Sequence, residues 1–149
     1  MQPNHSAGSP SHLSLQRQLH QTPTIRFLIV DDHDAFRAIL RQMVESHPDW
    51  LVLAEARDGY EATQMAATYM PDVILMDVVM PVMNGIEAAS RIHQIMPNSR
   101  IVLFSAYHEE EFLVSGVKAG AVGLIWKDQL DEDSLRDIIT SCFREEQSA

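Results

Sequence analysis

The sequence predicts an α/β fold: a doubly wound, five-stranded parallel sheet with helices on both faces. Three observations predict it. Short apolar runs without polar alternation, such as Val73-Ile74-Leu75-Met76, suit strands buried on both faces. They alternate along the chain with segments whose apolar residues recur at helical spacing, the order that builds a parallel sheet through right-handed crossovers. At 149 residues and 46% hydrophobic, the chain is one domain of ordinary size with enough apolar content for a layered core.

Residues 1–24 stand apart from this pattern. They are rich in Ser, Gln, His and Pro, with Leu13, Leu15 and Leu19 as the sizeable apolar groups after Met1. Such a composition cannot offset its ordering entropy by burial, so a disordered tail is expected there and a folded domain over residues 25–146.

The elements of that domain follow in order. Ile25 to Val30 is a strand interrupted only by Arg26, and it ends at Asp31-Asp32. Ala35, Phe36, Ile39, Leu40, Met43 and Val44 then recur at helical spacing, with Arg37, Arg41 and Glu45 expected on the opposite face, until Pro48. Leu51 to Ala56 is the second strand, and Asp58 with Glu61 three residues on has the form of an N-cap opening a helix through about Tyr69. The Val73 strand closes at Asp77, because Pro81 cannot continue a ladder and Asn84-Gly85 signals a turn. Ile86, Ala89, Ile92, His93 and Met96 mark the third helix, which stops before Pro97. Ile101 to Phe104 is the fourth strand, ending at Ser105-Ala106. Glu109-Glu110-Glu111 open the next helix, where the dipole favours acids, rather than forming a metal site. Gly123 to Trp126 is the fifth strand and ends at Lys127; Asp131 to Asp133 then start a last helix through about Phe143, with Cys142 as a small apolar filler.

Charge and composition exclude some functions. A formal charge of −10 without a basic stripe argues against holding a nucleic-acid backbone, which needs clustered Lys and Arg. No apolar run approaches the length of a membrane span, and the N-terminus lacks the order of a secretory signal. A single cysteine cannot form an internal disulfide, which fits a reducing compartment. A cytoplasmic protein is expected.

With this length and alternation the flavodoxin-like strand order 2-1-3-4-5 is predicted, and ligands in such sheets bind at the carboxyl ends of strands. Asp31, Asp32, Asp77, Ser105 and Lys127 are then expected at one rim. Two carboxylates about 4 Å apart repel by roughly 4 kcal/mol at an effective dielectric near 20, so three acids there demand counter-charge. Magnesium takes oxygen ligands, waters and phosphate oxygens, which matches this set better than zinc does. Lys127 adds a fixed positive charge, the Ser105 hydroxyl can donate to a phosphoryl oxygen, and one carboxylate remains as a nucleophile that would form an acyl phosphate.

The order Asp31-Asp32, Asp77 followed by Met80-Pro81 and Asn84-Gly85, Ser105-Ala106, Lys118-Ala119-Gly120-Ala121 and Lys127 closely resembles the receiver domains of bacterial two-component response regulators, over about residues 25 to 143. The resemblance implies that Asp77 is the phospho-acceptor in a Mg2+-dependent reaction. It implies Asp32, Asp77 and the Val79 carbonyl as direct metal ligands, Asp31 as holder of a metal-bound water, and Ser105 and Lys127 as contacts to the phosphoryl oxygens. The implied donor is a sensor histidine kinase or phosphotransfer protein. A downstream protein target follows, and the reading is compatible with a homodimer. Such a protein is a signalling module rather than an enzyme, acting only on its own phosphorylation and dephosphorylation.

The chain departs from the family pattern at two places. Leu124 stands where many members carry a Tyr or Phe three residues before the lysine, and Asp128 stands where many carry Pro. A cis bond before a residue other than proline costs about 3 kcal/mol, so a trans loop is expected. The run DDHDAFR and the triplet Ser105-Ala106-Tyr107 lean towards the LuxR-type branch, yet no helix-turn-helix is expected in these residues. A phosphorylation-independent binding module on the same fold is the alternative, and Leu124 is the feature that points to it. A hydrolase would need a further general acid or a cap insertion, for which the loops are too short; His33, beside the acid pair, reads as a solvated neighbour. The resemblance also implies that Val79 and Tyr107, two residues after Asp77 and Ser105, flank the path of an attacking water.

Overall fold

The computed structural model describes residues 24–148, so the tail expected for residues 1–24 lies, Thr24 excepted, outside the described residues. The elements are β1 (Ile25–Val30), α1 (Asp34–Glu45), β2 (Trp50–Ala56), α2 (Gly59–Tyr69), β3 (Val73–Asp77), α3 (Gly85–Ile95), β4 (Arg100–Ser105), α4 (Glu110–Lys118), β5 (Gly123–Trp126) and α5 (Glu132–Ser148), with a 3-10 turn at Lys127–Gln129. All neighbouring strands are parallel and their order is β2-β1-β3-β4-β5, as the alternation predicted.

The strands sort their side chains with period two. Leu28, Val30, Ile74, Met76, Ile101 and Leu103 point to one side, where Ala62 and Ala66 of α2 and Ala88, Ala89 and Ile92 of α3 meet them. Phe27, Ile29, Val73, Leu75, Val102 and Phe104 point to the other, against Leu40 and Val44 of α1 and Leu135 and Ile139 of α5. Burying each such Leu, Ile or Phe contributes about 1.5–3 kcal/mol, so the three central strands anchor the fold. Alanines on α2 and α3 let those helices lie close to the sheet. Gly85 does the same for the start of α3, since a Cβ there would stand 2.1 Å from the Asp77 carbonyl oxygen.

Several boundaries and one face differ from the sequence reading. β2 begins at Trp50, whose ring packs on Phe27 at 5.1 Å, and α5 continues to Ser148. Arg37, expected on the solvated face of α1, is buried, while Ile39 is 45% exposed. The reason lies in β2. Its register with β1 shifts between Phe27 and Leu28, skipping Leu53, and this bulge brings Glu55 opposite Ile29 on the α1 side of the sheet. There Arg37 Nε donates to Glu55 Oε1 at 2.8 Å and Arg41 donates to Oε2. Burial alone would push the Glu55 carboxyl up, but the hydrogen bonds from Arg41 and Arg37 outweigh it and hold the group below its ordinary value. A charged residue thus joins Leu40 and Val44 on the inward stripe because a partner waits for it.

The helix starts behave as predicted, with one variation. Asp58 accepts from the Glu61 N–H at 2.8 Å, while the Glu61 side chain reaches back to the Arg57 N–H at 2.9 Å, one residue before the usual capping-box partner. Asn84 caps α3 through the Glu87 N–H at 2.8 Å.

Candidate functional site

Register explains why four separated segments meet. Val30 pairs with Met76, Asp77 with Phe104 and Ser105 with Trp126, so the residues at or just past these strand ends share one rim. Asp31 is fully buried there and Asp77 is 3% exposed. The Asp31 backbone is fixed on both sides: its N–H donates to the Ala56 carbonyl at 3.1 Å, and its carbonyl accepts from Arg37 Nη1 at 2.9 Å.

Lys127 enters this rim from the end of β5. Its Nζ donates to Asp31 Oδ2 at 2.8 Å and lies 3.4 Å from Asp77 Oδ2. The same ammonium sits 4.2 Å from the centre of the Phe36 ring, a cation–π contact that holds it under the rim. On the open side, His33 donates its backbone N–H to Asp31 Oδ1 at 2.8 Å, and its Nδ1 is 3.3 Å from oxygens of both Asp31 and Asp32. One atom from each of Asp31, Asp32, His33 and Asp77 falls within 4.8 Å of the others.

Electrostatics follow from this crowding. Burial first, and the Asp31 charge second, push the Asp77 carboxyl up to about 6, against the opposing pull of Lys127 and a hydrogen bond from the Val79 backbone. Asp77 is therefore mostly ionised at neutral pH. Three carboxylates around one ammonium leave an excess of negative charge, and the donors are mainly oxygens, so the set fits a hard divalent cation.

Above the acids lies a cleft of about 280 Å³ lined by Asp32, Asp77, Val79, Met80, Tyr107 and Lys127, among others. Larger cavities of about 450 and 510 Å³ open at the opposite end of the sheet, beside Gly120 and Thr24 respectively, away from the Asp31-Asp32-Asp77 cluster. Chemistry, not size, marks the site. One wall of the cleft is strained: Met83 N–H closes on the Pro81 carbonyl at 2.7 Å around Val82, whose φ of 69° is costly for a β-branched residue.

Asp31, Asp32, Asp77 and Lys127 come together at this rim, and Val79 lines the cleft above them. Ser105 ends β4 beside them, but its buried hydroxyl donates to the Tyr107 carbonyl at 2.9 Å and accepts the Tyr107 N–H at 3.0 Å. Sequence reasoning missed Arg37 and Phe36 and gave His33 no role. The only available signal was their place within six residues of the acid pair.

Residues 27–140 match the response regulator receiver domain. The chain belongs to the response regulator receiver family. Among its relatives, an uncharacterized transcriptional regulatory protein of Bacillus subtilis, YxjL, is 41% identical over 82% of this chain and 56% of its own length. The chemotaxis protein CheY of Halobacterium salinarum is 36% identical over 76% of this chain and 96% of its own. The signal receiver domain of the putative response regulator NarL from Mycobacterium tuberculosis superposes with a TM-score of 0.76 at 26% identity, covering 81% of this chain and 97% of that one. A CheY from Borrelia burgdorferi in a CheX-CheY-BeF3-Mg complex gives 0.75 at 28% identity, with 81% and 90% covered. The chain spans about half the length of the first curated relatives it matches.

In this receiver Leu124, at the family's common aromatic position, is half-buried against the α2–α3 side of the core. An aromatic contact forms two residues later instead. Trp126 stacks on His108 at 4.8 Å, and His108 Nε2 bonds Asp128 Oδ1 at 2.8 Å. No peptide bond among the described residues is cis, so the loop after Lys127 is trans as expected.

Proposed function

We propose that this receiver, spanning residues 25–146, takes a phosphoryl group onto Asp77 from a sensor histidine kinase or phosphotransfer protein and signals to a downstream protein through the resulting change of shape. The observation that carries the reading is the buried Asp77 carboxylate with Lys127 Nζ 3.4 Å away and Asp31 and Asp32 beside it. An Asp77 oxygen attacks phosphorus, an acyl phosphate bond forms, and the P–N bond to the donor histidine breaks, leaving its imidazole to take up a proton from solvent. Asp32, Asp77 and the Val79 carbonyl are the residues proposed to hold magnesium directly, and Asp31 to hold a water on it. When bound, magnesium supplies charge neutralisation for the phosphoryl oxygens. Lys127 contacts a phosphoryl oxygen from the other side, exchanging part of its bond to Asp31.

Ser105 is proposed to donate to another phosphoryl oxygen. Its hydroxyl has one hydrogen, now given to the Tyr107 carbonyl, so that bond must open first. Phosphorylation would thereby loosen the segment between β4 and α4, which supports a readout through that surface. Catalysis is confined to the protein's own phosphorylation and its loss. The charge of −10 supports a protein rather than a nucleic-acid partner for these residues. YxjL is named as a transcriptional regulatory protein, and the CheY complex pairs a receiver with a protein, BeF3 and magnesium.

The test is intact mass after incubation with Mg2+ and acetyl phosphate. One phosphoryl group is expected on the native chain and none on Asp77→Asn, whose amide is a poor nucleophile. An unchanged native mass at saturating metal and donor would instead favour a phosphorylation-independent binding module, the reading that Leu124 supports.

A further inference from the structure

We infer that His33 selects the metal: its imidazole Nδ1 completes the acid cluster as a ligand and gives it a preference for late first-row cations, of the Ni2+ and Zn2+ class, over Mg2+. The inference rests on the metal position proposed above. Donors at adjacent positions on an octahedral ion with bonds near 2.1 Å lie about 3 Å apart, and those across it about 4.2 Å. His33 Nδ1 is 3.3 Å from Asp31 Oδ1 and 3.3 Å from Asp32 Oδ1, and the four-residue set closes within 4.8 Å. The 3.3 Å between His33 Nδ1 and Asp32 Oδ1 suits adjacent ligands on one cation, with Asp31 placed to reach it through a water.

The imidazole already faces the acids, its Nδ1 within 3.3 Å of Asp31 Oδ1 and Asp32 Oδ1, contacts that a cation between them would replace. His33 is the N-cap residue of α1, but its side chain makes no capping bond and is 69% exposed. Its backbone N–H, in contrast, is tied to Asp31 Oδ1 at 2.8 Å, which keeps the residue beside the acids. Asp31 itself is divided between two neighbours. Oδ2 is taken by Lys127 at 2.8 Å, while Oδ1 faces His33, so a cation near Oδ1 meets the imidazole rather than the ammonium.

Chemistry then separates the metals. Magnesium is a hard cation that keeps oxygen ligands and several waters, so it gains little from an imidazole nitrogen. Nickel and zinc bind imidazole well and stand late in the Irving–Williams order, so one added nitrogen raises their affinity selectively. A neutral imidazole carrying its hydrogen on Nε2 presents the Nδ1 lone pair to the cation.

Calorimetric titration of the untagged full chain with NiCl2 and, separately, MgCl2 tests this in the native protein, His33→Ala, His33→Asn and Asp32→Ala. Removing the imidazole should weaken Ni2+ binding about tenfold or more, whereas Mg2+ affinity should stay within about twofold. His33→Asn keeps a good capping residue, so agreement of the two variants excludes a helix effect, and their unchanged Mg2+ affinity shows an intact site. Saturating Mg2+ should also compete with Ni2+ in the native chain, which separates this position from the chain's other histidines. Equal Ni2+ affinity with and without the imidazole, or Ni2+ binding indifferent to Mg2+, would overturn the inference. Native protein that binds no Mg2+, or Asp32→Ala that binds both cations like the native chain, would remove the proposed metal position itself.

Discussion

Asp77 is held at a cost to the fold. Its carboxyl titrates near 6 in the native state against an ordinary value of 3.8, because it is buried and faces Asp31. Between about pH 4 and 6 the native protein therefore binds more protons at this site than the unfolded chain does, and this group's contribution to stability falls as pH rises through that window. Above it the loss is complete and constant. Asp77→Asn removes the charge at nearly constant shape, so metal-free stability at pH 7.5 should rise by on the order of 2 kcal/mol, with the gain vanishing towards pH 4. Urea melts with chelator at the two pH values check this, and an equal gain at both would mean that charge is not the cause. Residues of this kind were legible in the sequence because strand ends expose them: Asp31, Asp32, Asp77 and Lys127 each follow an apolar run. Side-chain orientation was not legible. That the Ser105 hydroxyl closes on Tyr107, or that His33 turns to the acids, depends on rotamers that no spacing reveals.

At the scale of elements, the strand order followed from the alternation and most helix faces from periodicity, while the α1–β2 clip and the burial of Arg37 did not. Glu55 reaches Arg37 only because one residue of β2 is skipped, and a bulge leaves no mark in an apolar run such as Leu51-Val52-Leu53-Ala54. The clip matters for the site, since Arg37 bonds the Asp31 carbonyl as well as Glu55. Arg37→Met keeps much of the volume but leaves that buried carbonyl without its donor and Glu55 with Arg41 alone. A loss of about 2 kcal/mol is expected from these groups together. Guanidinium melts should show it, and the paired change Arg37→Met with Glu55→Met should recover part of it, because the half-paired Glu55 carboxylate is then gone, while Asp34, which also loses Arg37, is exposed to water. A double variant no more stable than Arg37→Met would show that the Asp31 carbonyl, not the ion pair, carries the effect.

For the molecule as a whole, the sheet is a platform that sets the groups proposed to react at one rim, and on that reading the two loops above it decide what reaches them. Under the proposed function the lifetime of the phosphorylated state would be set there, since its loss needs a water in line with the scissile bond. Val79 and Tyr107 both line the cleft over Asp77, one from each loop, and they are 43% and 56% exposed. Val79 has no polar side-chain atom to hold a water. The Tyr107 N–H bond to Ser105 Oγ does not use the Ser105 hydrogen, so it can persist when that hydroxyl turns to the phosphoryl group, and the bulk of the Tyr107 ring covers the opening. A slowly hydrolysing phosphoprotein is expected, and Val79→Asn combined with Tyr107→Glu should shorten its life several-fold by supplying groups that orient a water. The strained Val82 follows Pro81, which lines the same cleft, so Val82→Gly serves as a control for loop mobility: relief of φ strain alone should leave decay unchanged. Following phospho-Asp77 by mass after removal of the donor distinguishes these cases. Decay no faster in the double variant than in the native chain would show that these side chains do not govern access, and equal acceleration by Val82→Gly would assign the effect to backbone motion.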